Sequence, residues 1–141
     1  MPYRVLLPVD TNDRRARAQA KFVANLPAAD EAVEAIVLFV FHGDSEELPD
    51  ELERFAGVER IESVRRATES LEERGVTVRH REDSGDPARR IVASADEHDV
   101  DLIVMGGRKR SPAGSALFGS VTQSVLRRTD RPIVVTGSIA E

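Results

Sequence analysis

Cysteine and tryptophan are absent from this chain of 141 residues, aromatic side chains make up 4% of it, and Lys21 and Lys109 are its only lysines. The lack of cysteine excludes disulfide bonds, thiolate metal centres and a cysteine nucleophile. No apolar run approaches the ~20 residues of a membrane-spanning helix, and apolar residues begin directly after Met1. We therefore expect a cytoplasmic protein without membrane contact.

The charge balance is acidic, with 25 Asp and Glu against 20 Lys and Arg and a net charge of -5. This balance argues against non-specific binding to nucleic acid phosphates, which requires clustered basic residues. Its excess of acid, and of arginine over lysine, is typical of proteins from salt-loving or high-GC organisms. Length and a hydrophobic content of 40% indicate one folded domain over residues 1–141.

Short apolar runs alternate with segments of helical spacing. The strands are predicted at Val5–Val9, Ala35–Phe41, Val76–Arg81, Leu102–Met105 and Ile133–Thr136. Four helices are predicted. The first follows a cap at Asn12 or Asp13 and ends at Leu26, and the second runs from Val58 to Leu71 with Gly75 as a left-handed stop. The third begins after Asp86-Pro87, and the fourth begins at Ser120 with an apolar stripe of Val121, Val125 and Leu126. This order predicts an α/β fold, an open doubly wound parallel sheet with helices on both faces. The acidic segment 42–57 is expected to be a mobile loop.

Ligands of such sheets bind beyond the carboxyl ends of the strands, where the strand order reverses. Three segments are expected to meet there: Pro8–Asp10, Val40–His42 and the long connection Gly106–Gly119. Glycines, the basic run Arg108–Arg110 and a helix start at Gly119 suit a phosphate in the last segment. It has neither the ending of a Walker loop nor the spacing of a dinucleotide fingerprint. The structural alternatives are a solvated basic turn at Arg108–Arg110 and a helix-capping role for Asp10.

Five blocks of the chain resemble the hallmark segments of the universal stress protein family, in the family's order: Val5–Asp10, Gly85–Ala88, Asp101–Gly106, Gly119–Val121 and Arg131–Val135. The resemblance implies an adenine nucleotide alpha hydrolase-like fold with five strands in the order 3-2-1-4-5. The family's nucleotide-binding branch carries a motif that cradles the phosphates of ATP. This motif has two glycines separated by two residues, followed by nine residues and then Gly-Ser or Gly-Thr. Gly106 and Gly119-Ser120 match this pattern here, whereas Lys109 replaces the second glycine.

The resemblance also implies a site for an adenine nucleotide, ATP or AMP, with or without Mg²⁺. Its residues would be Pro8, Asp10 and Val40 around the adenosine, Met105 and Gly106 along the pocket, Gly119, Ser120 and Val121 at the phosphates, and Arg108 and Lys109 as neighbouring cations. Two consequences of Lys109 stay open. Its ammonium either contacts the phosphates, or its side chain strains a position that needs glycine by about 1 kcal/mol and weakens binding.

Three functions follow as hypotheses. The first is an ATP-binding regulatory domain of the stress response that acts as a homodimer, paired through the edge strand Arg131–Thr136. The second is a dimerisation module that no longer binds nucleotide. The third is a weak ATPase or self-phosphorylating protein, but no base can be assigned to any serine, so no catalytic residue is predicted. His42, His80 and His98 lack the spacing of metal ligands, and no metal site is predicted.

Overall fold

A computed structural model describes residues 2–42, 61–107 and 119–137 of the chain. The elements alternate as the sequence predicts, which confirms the α/β class. In chain order they are β1 (Tyr3–Pro8), α1 (Asp13–Ala24), α2 (Ala29–Ala32), β2 (Val33–His42), α3 (Glu62–Glu73), β3 (Thr77–Gly85), α4 (Pro87–Glu97), β4 (Leu102–Gly106), α5 (Ser120–Arg128) and β5 (Ile133–Thr136).

The five strands form one parallel sheet in the order β3-β2-β1-β4-β5, which confirms the predicted topology. Helices α1 and α3 cover one face, and the buried side chains there include Ala20, Val23 and Leu71. Helices α4 and α5 cover the other face, where Ile91 and Val125 are buried. Each central strand is therefore apolar on both sides, as the continuous aliphatic runs indicated.

Local chemistry sets several of the helix ends. Asn12 is the N-cap of α1, and its side chain accepts a hydrogen bond of 2.9 Å from the backbone N–H of Arg15. Asp86 caps α4 in the same way, with Pro87 at the first helical position. Gly75 follows α3 with a φ of +78°, the left-handed conformation that glycine adopts without strain. The predicted stop and cap positions are confirmed at these sites.

Two strand boundaries differ from the predictions because strand pairing outweighs local composition. Strand β3 continues beyond Arg81 to Gly85, since its backbone pairs with β2 from Thr77 along its whole length. Strand β2 begins at Val33 rather than Ala35, α1 ends at Ala24 rather than Leu26, and α2 was not predicted.

The predicted apolar stripe of α5 is partly wrong, because Leu126 is 45% exposed beside the buried Val125. The predicted acidic loop at 42–57 lies outside the described residues except for His42, which ends β2. Val58, the predicted start of the second helix, also lies outside the described residues. Most of the Gly106–Gly119 connection also lies outside them. None of the helices in the described ranges is both long and apolar enough to cross a bilayer.

Candidate functional site

A cavity of about 240 Å³ opens at the carboxyl ends of β1 and β4. These two strands lie where the sheet order reverses, because β1 leads to β2 and β3 on one side and β4 leads to β5 on the other. Helices α1, α4 and α5 complete its wall. The described lining residues are Pro8, Val9, Asp10, Arg15, Gln19, Leu38, Val40, Pro87, Ile91, Met105, Gly106, Gly119, Ser120, Val121 and Thr122.

The cavity exists because β1 and β4 separate towards their carboxyl ends. Their pairing stops after Leu6 and Ile103, although β1 stays paired with β2 as far as Pro8. Beyond that point the carbonyls of Pro8 and Val104 are bridged by the side chain of Gln19, whose Nε2 donates to them at 2.7 and 2.9 Å. These two hydrogen bonds replace the missing backbone pairing between the strands. Gln19 is only 1% exposed and forms the floor of the cavity.

Asp10 and Arg15 form the charged part of the wall. The Oδ2 atom of Asp10 lies 3.0 Å from Nε and 2.9 Å from Nη2 of Arg15, and its Oδ1 atom accepts a 2.8 Å hydrogen bond from the backbone N–H of Asn12. The Asp10 side chain is 54% exposed and that of Arg15 29% exposed. The backbone carbonyl of Asp10 accepts a hydrogen bond from Ser63 Oγ on α3, which fixes the loop after β1. Both charges therefore remain accessible to a ligand.

Two glycines at the end of β4 allow close packing around the cavity. A Cβ atom at Gly106 would lie 3.1 Å from Cβ of Arg15 and 3.1 Å from Oε1 of Gln19. A Cβ atom at Gly107 would lie 2.5 Å from the carbonyl oxygen of Thr136, which already accepts the Gly107 N–H at 2.8 Å. A side chain at either position would displace a neighbour.

The amino terminus of α5 faces the same cavity. Gly119 is its N-cap and supplies no side-chain acceptor, and Ser120, Val121 and Thr122 follow in the first turn. The first N–H groups of a helix have no partner within the helix and carry partial positive charge. This end of the cavity therefore suits an anionic group.

Eight of the ten residues predicted for the site line this one cavity: Pro8, Asp10, Val40, Met105, Gly106, Gly119, Ser120 and Val121. The other two, Arg108 and Lys109, lie outside the described residues. The eight residues line one cavity, and their roles in nucleotide binding stay predictions. The alternative role of Asp10 as a helix cap is confirmed only in part. Its side chain accepts a hydrogen bond from the Asn12 N–H, but the residue that caps α1 is Asn12.

Two lining residues, Arg15 and Gln19, were not predicted from the sequence. A signal for Gln19 was present, because it lies three residues from Ala16 and four from Val23, which places it on the apolar face of α1. A buried amide on such a face needs hydrogen-bond partners. Arg15, four residues before Gln19, shares that face. In the described ranges no group of three or more His, Asp and Glu residues could hold a metal ion.

An open doubly wound sheet with a cavity at its switch point defines a class of α/β domain that commonly binds nucleotides. The chain belongs to the universal stress protein family, because the model of that family matches residues 1–137.

Relatives and solved structures agree with this assignment. Universal stress protein MJ0531 of Methanocaldococcus jannaschii is 30% identical over 94% of this chain and 80% of its own length. Protein MJ0577 of the same organism is 30% identical over 64% of this chain, a match that spans 56% of that relative's length. The solved structure of MJ0577 superposes on the whole of both chains with a TM-score of 0.73 and 26% identity. The universal stress protein of Archaeoglobus fulgidus in complex with dAMP superposes with a TM-score of 0.67 and 25% identity, over 96% of this chain and 97% of its own.

Proposed function

We propose that this protein binds an adenine nucleotide in the cavity between β1 and β4 and acts as a nucleotide-responsive regulatory domain. The observation that carries the proposal is the meeting of the ends of β1 and β4, the second half of β2 and the amino terminus of α5 in one cavity. The apolar walls at Val40 and Met105 suit a base, and Asp10 offers an acceptor to sugar hydroxyls. The phosphate would lie against the first turn of α5.

The related protein from Archaeoglobus fulgidus supports the ligand class, since it is in complex with dAMP. The cavity volume of about 240 Å³ lies slightly below the ~300–1,000 Å³ of most small-molecule sites. We propose that AMP and ATP both bind, with the outer phosphates of ATP directed towards Arg108 and Lys109. Magnesium would enter through those phosphates, because Asp10 is the only carboxylate among the described lining residues.

Ligand-dependent thermal unfolding tests the proposal. Millimolar AMP or ATP, the latter with and without magnesium, should raise the unfolding midpoint, and GMP serves as the control for the base. A ligand at 100 times its Kd stabilises the folded state by about 2.7 kcal/mol. No shift with any adenine nucleotide at low or high salt would refute nucleotide binding and leave the dimerisation module.

Two valines provide a matched test of the location. Val121→Tyr places a large side chain in the cavity and should abolish the shift. Val92→Tyr makes the same change at a half-buried valine on the same face of the sheet, in α4 and outside the cavity lining, and should preserve it. Equal shifts in both variants would place the nucleotide elsewhere.

A third variant addresses the position that departs from the family pattern. Lys109→Gly restores the glycine. Weaker ATP binding in Lys109→Gly would mean that the ammonium contacts phosphate, and tighter binding would mean that the lysine side chain obstructs it.

We further propose a homodimer formed through β5. Among the described residues this strand pairs only with β4, and its side chains Ile133, Val134 and Val135 are only partly buried. An apolar edge of this kind favours pairing with a second strand. Light scattering after size exclusion should give twice the monomer mass at micromolar concentration, and a monomer alone would refute the dimer.

A further inference from the structure

Arg15 has hydrogen-bonding capacity that its contact with Asp10 does not use. A guanidinium carries five N–H donors, and Asp10 Oδ2 lies within hydrogen-bonding distance of only Nε and Nη2. The remaining donors make no hydrogen bond to any side chain or carbonyl within residues 2–42, 61–107 and 119–137. Because Arg15 lines the cavity and is 29% exposed, these donors are available to a bound molecule.

The position of Arg15 is fixed by its surroundings. Its aliphatic chain packs against the end of β4, where the Cβ and Cδ atoms would lie 3.1 and 3.3 Å from a Cβ placed on Gly106. Its charged end is held by Asp10, which is itself anchored by the backbone N–H of Asn12. A cation oriented at both ends loses little further freedom when it binds an anion.

We propose that Arg15 is a specificity-determining residue that recognises the phosphate nearest the sugar, so that the site selects phosphorylated adenosine over the free nucleoside. The proposal rests on the proposed function, since it concerns the same cavity. Arg15 is the only positively charged side chain among the described lining residues. Its planar fork matches two oxygens of one phosphate, which a lysine cannot do.

The ion pair between Arg15 and Asp10 allows the cavity to bind a phosphate although its wall contains an acidic residue. An unpaired Asp10 carboxylate would repel the phosphate of a nucleotide. With Arg15 bound to it, the described wall carries one positive and one negative side chain and no net charge. The unused donors of Arg15 can then attract the phosphate while Asp10 still accepts from the sugar.

Calorimetric titration with adenosine and with AMP tests the proposal. The parent protein should bind AMP more tightly than adenosine. Arg15→Gln should weaken AMP binding by about 10- to 100-fold, the range expected for hydrogen bonds between charged groups, and change adenosine binding by less than about threefold. Arg15→Lys should give an intermediate loss of AMP affinity because it keeps the charge without the fork.

Arg17→Gln is the matched control, since it removes the same charge from the exposed side of the same helix and should leave both affinities unchanged. Unfolding midpoints without ligand verify that the variants fold. An equal loss of adenosine and AMP affinity in Arg15→Gln would show that Arg15 does not discriminate between the two compounds and would overturn the proposal. Unchanged AMP affinity would also overturn it, as would a parent that binds adenosine as tightly as AMP. A parent that binds neither compound would refute the proposed function itself.

Discussion

Gln19→Leu should destabilise the protein substantially although it replaces one buried side chain by another of similar size. Successive carbonyls of a strand point to opposite neighbours. Because Ile103 N donates to Pro132 on the β5 side, Val104 directs its carbonyl towards β1. Pro8 directs its carbonyl towards β4 from the other side, and Gln19 Nε2 joins the two at 2.7 and 2.9 Å. Leucine would leave both acceptors without this donor.

The expected cost follows from these contacts. A buried acceptor deprived of its partner costs about 1–3 kcal/mol, and the opening of the cavity lets water compensate in part, so we expect a total of about 2–4 kcal/mol. For a domain of this size each kcal/mol lowers the unfolding midpoint by about 3 °C. Urea unfolding followed by circular dichroism measures the free energy, with an unchanged slope showing that the loss arises in the folded state.

Gln19→Glu separates the hydrogen bonds from the packing. It has the same shape, but an ionised glutamate would place a carboxylate oxygen against two carbonyl oxygens and a protonated one could donate to only one of them, so it should also destabilise the protein. Both variants within about 0.5 kcal/mol of the parent protein would refute the view that this amide holds the separated strands together.

Two smaller changes test the surroundings of the site and one cap. Gly107→Ala should cost about 1–3 kcal/mol in chemical unfolding because its Cβ would lie 2.5 Å from a backbone oxygen that cannot rotate away. Gly137→Ala should be neutral, because a Cβ there meets no atom of the described residues within 4 Å, and equal effects of the two changes would contradict this explanation. Asp86→Ala should cost about 0.5–2 kcal/mol by removing the acceptor of the Arg89 N–H, and Asp86→Asn should restore most of that loss; no loss in Asp86→Ala would contradict the capping role.

The sequence predicted those features that depend on local chemistry. Asp86-Pro87 and Gly75 mark helix ends through backbone preferences that act within a few residues, and the structure confirms them. The buried strands were recognisable because both of their faces are apolar. The polar second half of β3 was not recognisable, since only its pairing with β2 makes Glu82 to Gly85 extended.

The same distinction applies to the site. Asp10 and Gly106 lie at or just after the ends of predicted strands, and the fold class places such ends at the switch point of the sheet. The position of Gln19 on the apolar face of α1 indicated that it is buried, but its hydrogen-bond partners depend on the separation of β1 from β4, a tertiary feature with no local signature. Arg15 was hidden for a related reason, because a charged residue in the first turns of a helix usually faces solvent.

Asp10 shows why the structural and the ligand-binding interpretations of one residue need not exclude each other. Its carboxylate offers about four acceptor positions, and the Asn12 N–H and two N–H groups of Arg15 occupy three of them. About one position remains for a sugar hydroxyl, on a side chain that is 54% exposed. A substitution of Asp10 would therefore disturb both the start of α1 and the proposed nucleotide binding. Changes at Arg15 and Gln19 are more selective, because the first alters the charge in the cavity wall and the second alters the contact between the strands that form the cavity.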